Sequence, residues 1–506
     1  MAIEPLFENL SFILPKTKQD TYIDVQAKTN VQEDQLEKVL HLSAFPSVSD
    51  GAESDAKIEF TGKVVFYLSY STTDGEVHKC ECTAEYLGAI DKGEINYVKN
   101  GITLTASPEK CEYVLEGGEL IVKAKIKVSS RLFGEEKIKL LSGGEGLITQ
   151  TAETSIVKSL GIKKTLYPIE EEFELSYQVK DVVSQTVSTN VTAVQCGVGC
   201  IIVDGEIFLS LMLLQNIEKS DIIRENKTIP FRVEIDYEDA MPALSASVTV
   251  SERAIKTDVE VDGESGKSLV KSKISLCFYG EAFSEESVIL IKDAFNKEQD
   301  LQADFCECNF ATDKQSRNFQ TEVTVRAETE DLPAGIRLTA VGGESVEIVS
   351  TMIKEGGLEI SGVLSATVFL KDSEGKNDAR KLNAPFTVLT DFSFESGIDI
   401  QTHAVCKSAK AKIISLSSIE LSASVIFKTE SYKNKSFKYL TGVSVCGEKA
   451  VNDCAISVFI AQENEELWSL AKRLNVCPEE LLETNKELQF PLTGNERIVI
   501  YRPKIK

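Results

Sequence analysis

"IEFTGKVVFYL" (residues 58–68), "IIVDGEIFLSL" (201–211) and "LEISGVLSATV" (358–368) are three versions of one pattern. Each centres on a glycine: Gly62, Gly205 or Gly362. On either side of it every second residue is apolar. The first set reads Ile58, Phe60, Val64, Phe66, Leu68; the second Ile201, Val203, Ile207, Leu209, Leu211; the third Leu358, Ile360, Leu364, Ala366, Val368. Strict period-two alternation marks a strand with one buried face. A glycine inside such a strand marks a bulge, a bend or a close approach by another part of the chain. Its return in the same phase three times makes these the structural glycines of an internal repeat.

Other elements recur around it. "LIVKAKIKV" (120–128), "LVKSKISL" (269–276) and "IELSASVIF" (419–427) follow the glycine strands at similar intervals. "PFRVEIDY" (230–237) and "PFTVLTDF" (385–392) occupy matching places, where the first copy has "CTAEYLGA" (82–89) without the Pro-Phe pair. Turn signals such as "STTDGEVH" (71–78), "VDGESGKS" (261–268) and "KDSEGKND" (371–378) separate the strands. The expected fold is mainly β, with three tandem β-sandwich-like repeats over 21–150, 151–302 and 303–448. An N-terminal segment, 1–20, precedes them, and a different C-terminal module, 449–506, follows. Short joints predict a rod of limited flexibility.

The chain has 506 residues, with 79 acidic against 55 basic and a formal charge of −24. That balance argues against nucleic acid or an anionic membrane as partner, since Lys and Arg must neutralise phosphates there. The start, "MAIEPLFENLSFILPK", lacks a basic stretch and a small-residue cleavage site, so no signal peptide is expected. No apolar run reaches the roughly 18–20 residues of a membrane span. A cytoplasmic location follows as an expectation. The 12 cysteines are scattered along the whole chain and read as free thiols. "CEC" (80–82, 306–308) and "CGVGC" (196–200) are the sharper alternatives, but a zinc site needs a second pair or histidines. The histidines are His41, His78 and His403 alone, and no metal site is assigned.

No nucleophile elbow, phosphate loop, HExxH or dinucleotide fingerprint occurs. The acidic "EEEFE" (170–174) reads as a solvated strand edge of the kind that keeps sheets from pairing with one another. The chain is expected to be non-enzymatic, with no catalytic residue and no cofactor.

From about residue 449 the periodicity changes. "ISVFIA" (456–461) is a short strand. "NEELWSLAKRLN" (464–475) is a helix with Asn464 as N-cap and Leu467, Leu470, Ala471 and Leu474 on one face. "VCPEELLETN" (476–485) is a second helix with Pro478 at its first position. "ERIVIY" (496–501) closes a β-α-α-β order. Trp468, the only tryptophan, is either packing for the first helix or a partly exposed aromatic anchor for a partner.

This module resembles a LysM domain. Leu467, Trp468, Ala471, Pro478, Leu481, Leu482, Asn485 and "GNERIVIYRP" carry the likeness. LysM domains commonly bind N-acetylglucosamine glycans, which here would involve Glu463–Glu466 and the loop near Gln489–Thr493. The usual "GDTLW" reads "NEELW", and the lost glycine shifts the expectation from sugar toward protein. Three β repeats before a terminal LysM resemble the SPOCS-domain (DUF3794) spore coat assembly proteins. That resemblance implies an adaptor whose LysM domain docks to the coat morphogenetic ATPase on the forespore surface. It implies other spore coat proteins as further partners and the mother-cell cytoplasm as location. The alternative is a protein that binds peptidoglycan, its precursors or another N-acetylglucosamine glycan. Ile460, Asn464, Glu465, Trp468, Lys472, Leu482 and Asn485 are the expected partner-binding residues.

Overall fold

The computed structural model describes residues 4–32, 36–93, 96–216, 221–262, 266–392, 394, 398–450 and 454–501. The protein is mainly β. Its first eighteen strands divide into three sets of six. The first set is β1 (Pro5–Gln32), β2 (Lys38–Glu53), β3 (Lys57–Ser71), β4 (Val77–Asp91), β5 (Tyr97–Glu116) and β6 (Glu119–Gly144). The second is β7 (Ile148–Leu175), β8 (Val179–Cys196), β9 (Cys200–Gln215), β10 (Ile222–Asp236), β11 (Ser245–Asp262) and β12 (Lys267–Phe295). The third is β13 (Gln299–Glu328), β14 (Arg337–Lys354), β15 (Gly357–Lys371), β16 (Asn377–Leu389), β17 (Ile398–Ser415) and β18 (Ser418–Glu448). β1 runs through position 20, β7 through 150 and β13 through 302. Each therefore begins ahead of the boundary read from the sequence, where the alternation is weakest.

Pairing follows one order in every set. The second, third and fourth strands form an antiparallel meander, and the first strand pairs with the sixth, which pairs with the fifth. Among the described residues one bridge, Ile13 to Ser159, joins the β1 and β7 sheets. In each set the two sheets enclose one apolar cluster. In the first set Phe60, Phe66 and Val64 of β3 meet Val122, Ile126 and Leu104 of the facing sheet. The second and third sets pack alike. The acidic run of β7 is paired with the neighbouring strand: Lys273 meets Glu170 at 3.0 Å and Lys267 meets Glu174 at 3.1 Å.

The repeat glycines seat aromatic rings. Gly62 lies opposite Tyr86, Gly205 opposite Phe231 and Gly362 opposite Phe386. An added Cβ would fall 2.0 Å from Tyr86 Cζ, 2.4 Å from Phe231 Cζ and 2.7 Å from Phe386 Cζ. At Gly205 and Gly362 it would also meet the carbonyl oxygens of Asn190 and Glu347, at 2.4 and 2.3 Å. The glycine thus answers to close approach rather than to a turn. Tyr86 does in the first set what the Phe of the Pro-Phe pair does in the others.

The sets close into a ring, not the rod expected from short joints. The fourth strand of each meets the second strand of the next. Lys79 pairs with Asp181 at 2.5 Å, Arg337 with Asp221 at 3.0 Å, and Lys38 with Asp378, which closes the circle. Inside lies an apolar cluster drawn from all three: Leu40 and Val77, then Val183, Met212 and Leu214, then Ala340 and Phe369. The long outer ends of the first and sixth strands converge likewise through Phe12, Ile138, Ile156, Leu290, Phe437 and Tyr439. His41 is buried at the junction. Its Nδ1 is 3.1 Å from Thr367 Oγ1 and its Nε2 3.1 Å from Ser184 Oγ, so one ring spans three sets. Gly343, at φ +60°, leaves room for it: a Cβ there would lie 2.6 Å from His41 Cε1.

No helix among the described residues is long and apolar enough to cross a membrane.

Candidate functional site

The C-terminal module is β19 (Ile456–Ile460), α1 (Leu467–Leu474), α2 (Pro478–Thr484) and β20 (Arg497–Tyr501). The helical spacing of α1 buries Leu470, Ala471 and Leu474 against Leu481, Ile498 and Ile500. α1 ends at Asn475, which takes the left-handed conformation at φ 55°. α2 begins with Pro478 in its first turn, preceded by Cys477. The first helix is shorter than its sequence signal: its N-cap is Glu466, not Asn464.

Six of the seven expected partner-binding residues fall into three environments. Glu465, Asn485 and Asn464 hold the module together. Glu465 is buried, receives Arg473 through two bonds of 2.7 and 2.8 Å, and accepts the Gln462 N–H. That guanidinium holds the carboxyl below its ordinary range, against the opposing effect of burial. Asn485 clamps α2 to β20: its Nδ2 donates to the Leu481 and Val499 carbonyls, and its Oδ1 accepts the Val499 N–H at 2.7 Å. Asn464 sits at φ 61°, so asparagine keeps the left-handed backbone for which glycine is the usual choice. The two loops expected to cradle a sugar are tied to each other. Asn464 N–H donates to the Leu492 carbonyl at 2.8 Å, and Leu492 N–H to that of Glu465 at 3.0 Å.

Ile460 belongs to a second environment, the outer face of the small sheet. Ile456, Val458 and Ile460 are 59%, 59% and 54% exposed, and Tyr501, opposite Ile456, is 62% exposed. Arg497 lies opposite Ile460 at the rim. Leu482 is exposed on α2.

Trp468 and Lys472 form the third environment, a seam with the second strand set. Trp468 Nε1 donates to Asp293 Oδ2 at 2.8 Å, and Lys472 Nζ reaches both Asp293 oxygens at 2.7 Å. Phe295 meets the Trp468 ring edge-on, with centroids 5.3 Å apart. Lys297 pairs with Glu480 at 2.7 Å, and Lys449 Nζ donates to the Asn296 carbonyl at 2.9 Å. Asp293 and Phe295 escaped the sequence reading, because neither carries a motif. A comparison of the three sets would have found them. Counting from the matched core residues Leu141, Ile291 and Leu440, Gly143 and Gly442 stand where the second set has Asp293. Glu145 and Ser444 stand where it has Phe295.

Among the described residues the cysteines form no disulfide. Among the described residues no group of three His, Cys, Asp or Glu side chains is arranged to hold a metal. The hollow between β1, β5 and β7 is lined by Ser11, Phe12, Tyr97, Glu135 and Lys158, and the Ser11 hydroxyl is spent on Glu135 at 2.6 Å. No protein-family model matches the chain, and no curated protein matches it at a significant level.

Proposed function

We propose that the chain is a non-enzymatic adaptor of spore coat assembly. In this reading three tandem copies of a SPOCS-like β-sandwich unit are followed by a LysM domain. The LysM domain docks to the coat morphogenetic ATPase on the forespore surface, from the mother-cell cytoplasm. The common pairing order of the three strand sets supports the repeat reading, and the β-α-α-β order of the module supports the LysM reading.

One observation carries the docking claim. The outer sheet face of the module presents Ile456, Val458, Ile460 and Tyr501 to solvent as a continuous apolar row. Such a row is a protein-contact surface with Arg497 at its rim. The glycan alternative is weakened by the two loops that would hold a sugar, because their backbone donors at Asn464 and Leu492 are bonded across the gap.

The test is titration of the purified full-length protein with the ATPase and with chitin hexamer. Wild type is expected to bind the ATPase, and Val458→Arg to weaken that at least tenfold, about 1.4 kcal/mol. Tight binding of the hexamer, or an unchanged affinity in Val458→Arg, sinks the docking claim.

A further inference from the structure

The seam between α1 and β12 is chemically odd for a permanent joint. The module has its own core: Ala461, Leu470, Leu474, Leu481, Leu492 and Ile500 are buried among themselves. Among the described residues the second strand set adds buried Phe295 and partly buried Ile148 to it. What holds the module there is polar and directional. One carboxylate, Asp293, takes both the indole N–H of Trp468 and the ammonium of Lys472. Two residues further along the same strand, Phe295 presses edge-on against that indole. An aromatic anchor beside a charge-assisted bond is the usual make-up of a binding hot spot. The module is tethered to the third set yet sits on the second. The corresponding positions elsewhere, Gly143 with Glu145 and Gly442 with Ser444, offer no such carboxylate and ring.

We infer that the Trp468–Lys472 face of α1 is a docking site for a strand-like segment carrying a carboxylate and, two residues on, an aromatic ring, and that Asp293 and Phe295 fill it as an internal ligand. A partner segment of the same chemistry competes for the face and frees the module from the ring. The tether raises the local concentration of the internal ligand, so an external one engages fully only when it binds better or when the internal contact is weakened. This inference rests on the reading of the module as a domain that docks to protein.

The sole tryptophan reports directly on the seam. The experiment compares full-length wild type with Asp293→Ala, a change at a partly exposed strand end. The probes are a synthetic octapeptide of residues 290–297, LIKDAFNK, a second peptide with alanine in place of its aspartate, and the purified ATPase. In Asp293→Ala the Trp468 emission should move to the red, and acrylamide quenching should rise severalfold. The octapeptide should reverse both, the alanine peptide neither, and wild type should respond to neither peptide. The ATPase should bind Asp293→Ala at least fivefold tighter than wild type.

Quenching in Asp293→Ala equal to wild type, or failure of the octapeptide to bind it, makes the seam a fixed joint and overturns the inference. Success with the octapeptide but equal ATPase affinity overturns the competition and leaves the apolar sheet face as the docking surface. Absence of ATPase binding by wild type and Asp293→Ala alike overturns the adaptor reading itself. A wild type that forms dimers lost in Asp293→Ala means that the contact is made between two copies, which overturns internal occupancy.

Discussion

His41 shows what a single side chain does at the centre of the ring. It is fully enclosed, and its two nitrogens bond to Thr367 and Ser184. A neutral imidazole offers one donor and one acceptor, which the two hydroxyls match. Burial, with Lys381 adding to it, holds its pKa down at about 4. In the unfolded chain a histidine titrates near 6.5. Between those values the unfolded chain binds a proton that the folded one does not. The contribution is therefore complete above about pH 6.5 and is lost as the pH falls toward 4. The gap corresponds to up to about 3 kcal/mol. Urea unfolding at pH 7.5 and pH 5.0 should show wild type losing much of this, while His41→Gln, which retains a donor and an acceptor, loses less. Equal losses in the two proteins would show that His41 does not titrate in this window. This role was not legible in the sequence, because it depends on residues that lie 143 and 326 positions away.

At the scale of the strand, the glycine pattern could be read and its cause could not. Period-two alternation survives in the sequence because one face of each central strand is buried. The ring that covers each glycine belongs to the neighbouring strand, and only the register reveals it. The same register ranks the three sites. At Gly62 the three atoms nearest an added methyl all belong to the side chain of Tyr86, which can turn aside. At Gly205 and Gly362 it also meets a backbone carbonyl, which cannot. Gly205→Ala and Gly362→Ala should each cost about 2–4 kcal/mol, and Gly62→Ala closer to 1, in the range of overpacked interiors. Chemical denaturation of the three variants checks the order. A Gly62 variant as damaging as the other two would mean that Tyr86 is held fast, through its bond to the Ser47 carbonyl. In the C-terminal module the helices and strands were legible from spacing and from Pro478. The true N-cap was not, since Asn464 is drawn into a left-handed loop instead.

For the whole molecule, the ring changes what folding must achieve. Each set encloses a core of its own, yet three further clusters take residues from all three sets. Their members are strand ends separated by hundreds of positions, and single-chain periodicity cannot say which ends meet. Removing one set would expose Phe12, Met212 or Phe369 together with the ion pairs around them. Calorimetry of the full chain should therefore give one transition for the three sets, with calorimetric and van't Hoff enthalpies near equal. Three resolved transitions would mean that the contacts between sets contribute little.

The pairing of first with sixth strand has a further consequence, in the currency of gene architecture. Pro5 lies across from Gly144, Ile148 from Phe295, and Gln299 from Glu448. Every set thus enters and leaves at one point, like a bead threaded on a short stitch. A gene segment with adjoining ends can be copied in tandem without rebuilding any sheet. Because the three beads also close a circle, the same order can be cut at residues 145–147 or 296–298 and rejoined elsewhere. Such circular permutants would change where the chain starts while leaving every strand beside its present neighbours.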